Sequence, residues 1–152
     1  MSSLQPDLQP LASKLLESKF APIITIATND EGDQVQALVE SNGFHVDGID
    51  WSDIQPWWLV AKQDEEIIGT IQVCPGKPIG RIEMLATKTS LSPLHKAQVA
   101  WRLNIAGMTT LKRAGSQLVS SMVSFDNKNV KKMMKKRGWT TMSTGNIMLK
   151  RI

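Results

Sequence analysis

The sequence predicts a mixed α/β (α+β) chain in which a central, mixed but mostly antiparallel sheet is flanked by helices. Three observations carry that expectation. Strand-length apolar runs alternate with segments of helical period. The stretch WWLVAKQDEEIIGTIQV, residues 57–73, sets two apolar runs about a short polar turn, as a β-hairpin does. The expected elements run α, β, α, β, β, β, α, β, α, β, β, with no internal repeat and no low-complexity linker.

Each element has its own justification. Residues 1–20 read as an N-terminal extension, with a short helix expected over Leu11–Phe20 after a proline-containing lead. Residues 21–152 read as one domain. PIITIAT is a strand. NDEGDQVQALVESNGF follows as a helix, with Val35, Leu38 and Val39 at helical spacing, acidic residues in its first turn and Gly43 as its stop. After the hairpin come the loop CPGKPIG and the strand RIEMLAT. A long helix then runs to about Arg113, ended by Gly115, with Leu94, Ala97, Trp101, Ile105, Met108 and Leu111 expected on one face. SQLVSSMVSF is a strand, NKNVKKMMKKR a helix ended by Gly138, and WTTMSTGNIMLKRI a closing hairpin turned at Thr144-Gly145.

Composition excludes several classes. The 152 residues are 41% hydrophobic and 21% charged, a globular balance rather than a disordered one. No apolar run approaches the roughly 20 residues of a membrane helix. The N-terminus lacks the basic start and continuous apolar segment of a signal peptide, so a cytoplasmic protein without a membrane partner is expected. Cys74 is the only cysteine, which excludes an internal disulfide and a cysteine-rich metal site. With only two histidines besides, no metal is expected. A net charge of +4 favours an anionic ligand but falls short of marking a nucleic-acid binder. The lysines of NVKKMMKKRGW read first as a solvated helix face, because Val130, Met133 and Met134 supply a buried side.

The stretch LSPLHKAQVAWRL, residues 91–103, raises a sharper question. Ser92 as N-cap and Pro93 in the first turn make an ordinary helix start. The same helix end also offers free N–H groups beside His95 and Lys96, the elements of a phosphate-binding turn.

RIEMLAT, then LSPLHKAQVAWRL, then AGSQLVSSMVSFDNKNVKKMMKKRGW, in this order of elements, resemble the GNAT superfamily of acyl-CoA-dependent N-acetyltransferases from about residue 22 onward. The resemblance implies a pyrophosphate-binding motif Arg/Gln-x-x-Gly-x-Gly/Ala, onto which His95, Gln98 and Ala100 fall. Only Ala100 agrees in type. It also implies a second signature, met by Asn127, Val130, Gly138 and Trp139, with Met134 where the family often has tyrosine. The CoA-binding residues it implies are Leu85, Ala86 and Thr87 at the strand end, His95, Lys96, Ala97, Gln98, Val99 and Ala100 at the turn, and Asn127 and Met134 beyond. A helix beginning at Pro93 would shift the free amides toward Leu94 to Ala97.

The implied function is acetyl transfer from acetyl-CoA, as cosubstrate, to a primary amine of a small molecule or protein. Glu83 is the candidate base. His45, Asp47 and Asp50 belong to a loop expected over the acceptor side, and Trp57 and Trp58 read as core or edge residues that could also line an acceptor pocket. With no tyrosine in the chain, departure of the thiolate would need solvent or another side chain. The alternatives are an acyl-CoA-binding module without catalysis and, less favoured, a basic nucleic-acid or partner-binding module. A homodimer is a candidate assembly.

Overall fold

The computed structural model describes residues 19–45, 50–123 and 128–141. The chain divides into two compact units, Met1–Ser120 and Ser121–Ile152. The expected helix over 11–20 lies mostly outside the described residues; Lys19 and Phe20, at its end, are not helical. The closing hairpin is also outside them, apart from its first residues.

Five strands form one sheet in the order β1-β2-β3-β4-β5: β1 (Ile23–Ile26), β2 (Trp58–Gln63), β3 (Glu66–Cys74), β4 (Ile79–Thr87) and β5 (Leu118–Ser121). The first three pairings are antiparallel. Gln117 and Leu118 both donate to the Pro78 carbonyl, so β4 and β5 start at the same end. A helical crossover between them makes a parallel pair, and the sheet is mixed. The β2–β3 turn is Asp64-Glu65, with φ of 50° and 67°, the positive values that a two-residue hairpin requires.

The helices are α1 (Gly32–Ser41), the single turn α2 (Trp51–Ile54), α3 (Pro93–Arg113) and α4 (Lys128–Lys136). Short 3₁₀ turns, Asn29–Glu31 and Gln55–Trp57, lead into α1 and β2. α2 is not evident from periodicity, because four residues cannot display one; Asp50 caps it by accepting from the Ser52 N–H. Gly43, Gly115 and Gly138 have φ of 86°, 93° and 89°, and end α1, α3 and α4 as expected.

The sheet buries both faces. On one, Val35 and Val39 of α1 pack with Ala27, Trp58, Val60, Ile67 and Ala86. On the other, Val99, Leu103 and Leu111 of α3 pack with Leu59, Ala61, Ile68, Ile71, Val73 and Ile82. The residues of β2 from Trp58 to Ala61 are therefore all buried, as in a strand covered on both sides.

The buried face of α3 differs from the expected one. Its sheet-facing stripe is Val99, Leu103, Gly107 and Leu111, whereas Leu94 is 66% and Ile105 43% exposed. Close approach decided this. A Cβ on Gly69 of β3 would collide with Val99, and one on Gly107 would lie 3.1 Å from Ile82 Cδ1. Val99 against Gly69, and Gly107 against Ile82, let the helix settle onto the sheet, with Leu111 common to both faces.

Candidate active site

The hydrogen-bond ladder between β3 and β4 breaks at one place. Thr70 lies opposite Ala86 and Gln72 opposite Glu83, so the single residue Ile71 faces both Met84 and Leu85. Met84 has φ of 53°, a left-handed conformation uncommon for a side chain of this kind. This is a β-bulge, which bends its strand and leaves an extra residue outside the ladder. Sequence reasoning missed it, because no glycine or proline in RIEMLAT marks it.

The register also fixes what lies beside the bulge. Trp58 is opposite Gln72, and Gln72 opposite Glu83, so the three share the α1 face of the sheet. The Glu83 side chain is 17% exposed, not the freely solvated carboxylate of an ordinary edge. Arg81 Nη1 stands 3.7 Å from Glu83 Oε1. Next to them, Cys74 is paired with Arg81 and buried. Burial pushes its thiol up, the Glu83 charge adds to this and Arg81 opposes it, so Cys74 stays a protonated thiol at neutral pH. Arg81 and Gln72 were not singled out from sequence; only strand register brings them to Glu83.

β4 leads directly to the start of α3. Asn42, just after α1, donates from Nδ2 to the Thr87 carbonyl and so ties α1 to the end of β4. Ser92 is the N-cap of α3, and its Oγ accepts from the His95 N–H at 3.2 Å. Lys96 N donates to the Ser92 carbonyl. Gln98, Val99 and Ala100 sit in the second turn, where N–H groups belong to the helical ladder. Val99 is fully buried against the sheet. Among the described residues, the N–H groups of Thr89, Ser90, Ser92 and Leu94 have no hydrogen-bond partner in the protein. The free amides therefore precede the positions that the motif alignment marks. The His95 ring stacks on Phe20, with centroids 3.8 Å apart and planes 8° from parallel. Lys96 is half-buried and Ala97 exposed in the same turn.

On the α1 face, a cavity of about 260 Å³ opens between the start of α1, α2 and the start of β2. Asn29, Asp30, Asp33 and Gln36 form its polar side, and Trp51, Ile54 and Trp58 its apolar side. The Trp51 ring packs flat on Gly32, where a Cβ would come within 2.7 Å of the ring. Trp58 is 1% exposed, while Trp57 is 44% exposed. Neither the Trp51 nor the Trp58 indole N–H has a hydrogen-bond partner among the described residues.

Glu31, beside this cavity, is committed elsewhere. Its carboxylate accepts from the Thr28 N–H and Oγ–H and pairs with Lys62 Nζ at 2.7 Å. Burial would raise its pKa, but the Lys62 ammonium and the two Thr28 donors together outweigh that and hold it below the usual carboxylate range. Asp30 and Asp33 have no ion pair among the described residues.

Asn127 and Asp47 lie outside the described residues. Asp50 is occupied as the cap of α2, and His45 is exposed. In the second unit, Met134 lies on α4, half-buried, and its carbonyl accepts from the Arg137 and Trp139 N–H groups where Gly138 ends the helix. Val130, Met133 and Met134 are all half-buried, on the side opposite the lysines. Among the described residues, no group of three His, Cys, Asp or Glu could hold a metal ion, and no helix is long and apolar enough to cross a membrane.

A five-stranded, mostly antiparallel but mixed sheet flanked by helices is the GNAT-like fold expected from the sequence resemblance. Solved structures share it. The aminoglycoside N-acetyltransferase AAC(6')-Iy in complex with CoA superposes with a TM-score of 0.67 at 17% identity, over 88% of this chain and 99% of that one. A transcriptional regulator from Bacillus halodurans gives 0.68 at 14% identity, over 85% of this chain and 99% of that one. The N-acetylglutamate synthase of Neisseria gonorrhoeae, complexed with coenzyme A and L-arginine, gives 0.67 at 14% identity, over 80% of this chain but 28% of that larger one. No family model and no curated protein matches the chain by sequence. At these identities the likeness is one of fold.

Proposed function

We propose that the protein is an N-acetyltransferase that moves an acetyl group from acetyl-CoA to a primary amine. The observation that carries this reading is the bulge at Met84-Leu85, with Glu83 on one side of it and a helix start with unpartnered amides on the other. The CoA bound in similar folds supports it.

Acetyl-CoA supplies an activated thioester. The unpartnered N–H groups of Thr89, Ser90, Ser92 and Leu94 suit its phosphates, with Lys96 as the nearby cation. In this reading His95 helps to hold the turn, its N–H donating to Ser92 Oγ and its ring stacked on Phe20. The extra backbone of Leu85, with Ala86 and Thr87, borders the pantetheine arm. Ala97, Gln98, Val99 and Ala100 support the turn as helix rather than by their own amides. Asn127 and Met134 keep the CoA-binding role that the sequence resemblance implies.

Glu83 takes the proton from the acceptor ammonium, directly or through water, and Arg81 orients its carboxylate. The neutral nitrogen attacks the thioester carbonyl, the C–N bond forms and the C–S bond breaks. The new amide nitrogen loses its surplus proton to solvent and the thiolate recovers one from solvent, because the chain has no tyrosine to donate one. A titration with acetyl-CoA, followed by an amine screen reading free thiol, tests the proposal. Acetyl-CoA binding without acetylation of any amine would favour a non-catalytic acyl-CoA-binding module.

A further inference from the structure

We infer that the outer face of α3 is a docking surface for the chain's own N-terminal arm, and that residues 11–18 lie along it as a short antiparallel helix. The inference does not depend on the acetyltransferase reading.

α3 carries two apolar stripes, where a helix laid on a sheet needs one. Val99, Leu103, Gly107 and Leu111 face the sheet. Leu94, Ala97, Trp101 and Ile105 follow the same period on another side. Trp101 and Ile105 each lie two residues from Leu103, just over half a turn around the axis, so they point away from the sheet. Leu94 is 66% and Ile105 43% exposed, Ala97 is exposed and Trp101 half-buried. A contiguous apolar stripe left at the surface marks a place that something covers.

The chain itself arrives at this stripe. Going backward from β1, the Pro22 carbonyl accepts from Arg102 Nη1, and the Phe20 ring then stacks on His95 in the first turn of α3. The backbone from Pro22 to Phe20 thus follows the flank of α3 from Arg102 toward its start. Arg102 and His95 follow Trp101 and Leu94 by one residue, so this flank borders the outer stripe. Phe20 also packs against the core under α3, which fixes the root of the arm. Lys19, the next residue back, lies in a turn.

The residues before that turn suit the face. Leu11, Ala12, Leu15 and Leu16 recur at helical spacing, with Ser13, Lys14 and Glu17 on the other side. As a helix, residues 11–18 are about 12 Å long, against about 16 Å from Leu94 to Ile105. A chain that reverses at Lys19 runs them from the level of Leu94 toward Ile105, antiparallel to α3. Charge disfavours the other simple occupant, the same face of a second copy. α3 contains His95, Lys96, Arg102, Lys112 and Arg113 and no carboxylate, so two copies would set like charges together. Residues 1–20 instead balance Lys14 and Lys19 with Asp7 and Glu17.

Hydrogen exchange on the whole chain tests this, with carbene footprinting of apolar side chains and sedimentation at several concentrations. Amides of residues 11–18 should exchange at least about tenfold more slowly than those of an unstructured segment. Leu15→Asp, on the arm, should abolish that protection and raise the labelling of Leu94 and Ile105 about twofold. Ile105→Asp, on the face, should abolish protection in the distant arm while circular dichroism shows the protein folded; Leu94→Asp, at the more exposed end, reads the same contact if Ile105→Asp unfolds the chain. Lys14→Gln, on the arm's other side, should change neither readout. Unprotected arm amides, or protection that survives substitution of the face, would overturn the inference. So would protection that fades on dilution together with a dimer in sedimentation, since a second copy would then be the occupant.

Discussion

Glu83 and Glu31 are two part-buried carboxylates with opposite fates. Glu31 is held by Lys62 and Thr28, and its lowered pKa ties it to stability. Because the folded value is depressed, its contribution is complete above the ordinary glutamate value of about 4.3 and is lost as pH falls through the lower folded value. Glu31→Gln should therefore reduce stability at neutral pH by about 1–3 kcal/mol, as expected for charged hydrogen bonds. Urea unfolding of the variant should depend less on pH than that of the parent between neutral pH and pH of about 3. An identical acid dependence in both proteins would show that other groups set it. Glu83 has one distant cation, and as the proposed base its contribution would be to rate. Glu83→Gln should slow acetylation most at low pH, where neutral amine is scarce. The parent rate should rise with pH and show no descending limb near the reference tyrosine value of about 10, since no phenol is present. A pH profile unchanged by Glu83→Gln would make this carboxylate structural.

At the scale of the element, α3 joins fold and site. Its middle is seated by close approach to the sheet at Gly69 and Gly107, and its start faces outward with unpartnered amides. These parts should separate under substitution. Gly69→Ala forces a Cβ into Val99 and should destabilise the protein by about 1–3 kcal/mol, as overpacking does. It should leave acetyl-CoA affinity nearly unchanged in the fraction that stays folded. Ser92→Ala removes the acceptor of the His95 N–H and should reduce stability by about 1 kcal/mol. It should also change acetyl-CoA affinity, because the freed amide joins the others at that end. Equal responses of stability and affinity in both variants would mean that the helix start has no separate role.

For the whole molecule, the sheet acts as a ruler. Its α1 face carries, in register, Trp58 beside the cavity, half-buried Gln72 and the Glu83 carboxylate, and β4 then runs through the bulge and delivers the chain to α3. If acetyl-CoA is bound there, it stabilises the folded state by mass action, about 2.7 kcal/mol at one hundred times its Kd. A thermal scan at millimolar acetyl-CoA checks this; an unmoved melting temperature would remove the acyl-CoA reading.

Local chemistry was legible in the sequence. Among the described residues, the order of the strands and of the longer helices followed from apolar period, and the ends of α1, α3 and α4 from Gly43, Gly115 and Gly138, because glycine takes a positive φ without steric conflict. Ser92 and Pro93 announced the start of α3, and Glu83 stood out as the carboxylate on the strand before the helix. What the sequence could not reveal depends on pairs of residues far apart along the chain. The apolar face of α3 was misassigned in part, because Leu94 and Ile105 are as hydrophobic as Val99 and Leu103, and only the close approaches at Gly69 of the sheet and Gly107 of the helix select the closer-packing set. The bulge at Met84, the row from Trp58 to Glu83, the Phe20–His95 stack and the capture of Lys62 by Glu31 follow from register and packing. Side-chain period states which residues can share a face, whereas the meeting of faces is decided by the shape of the space between them.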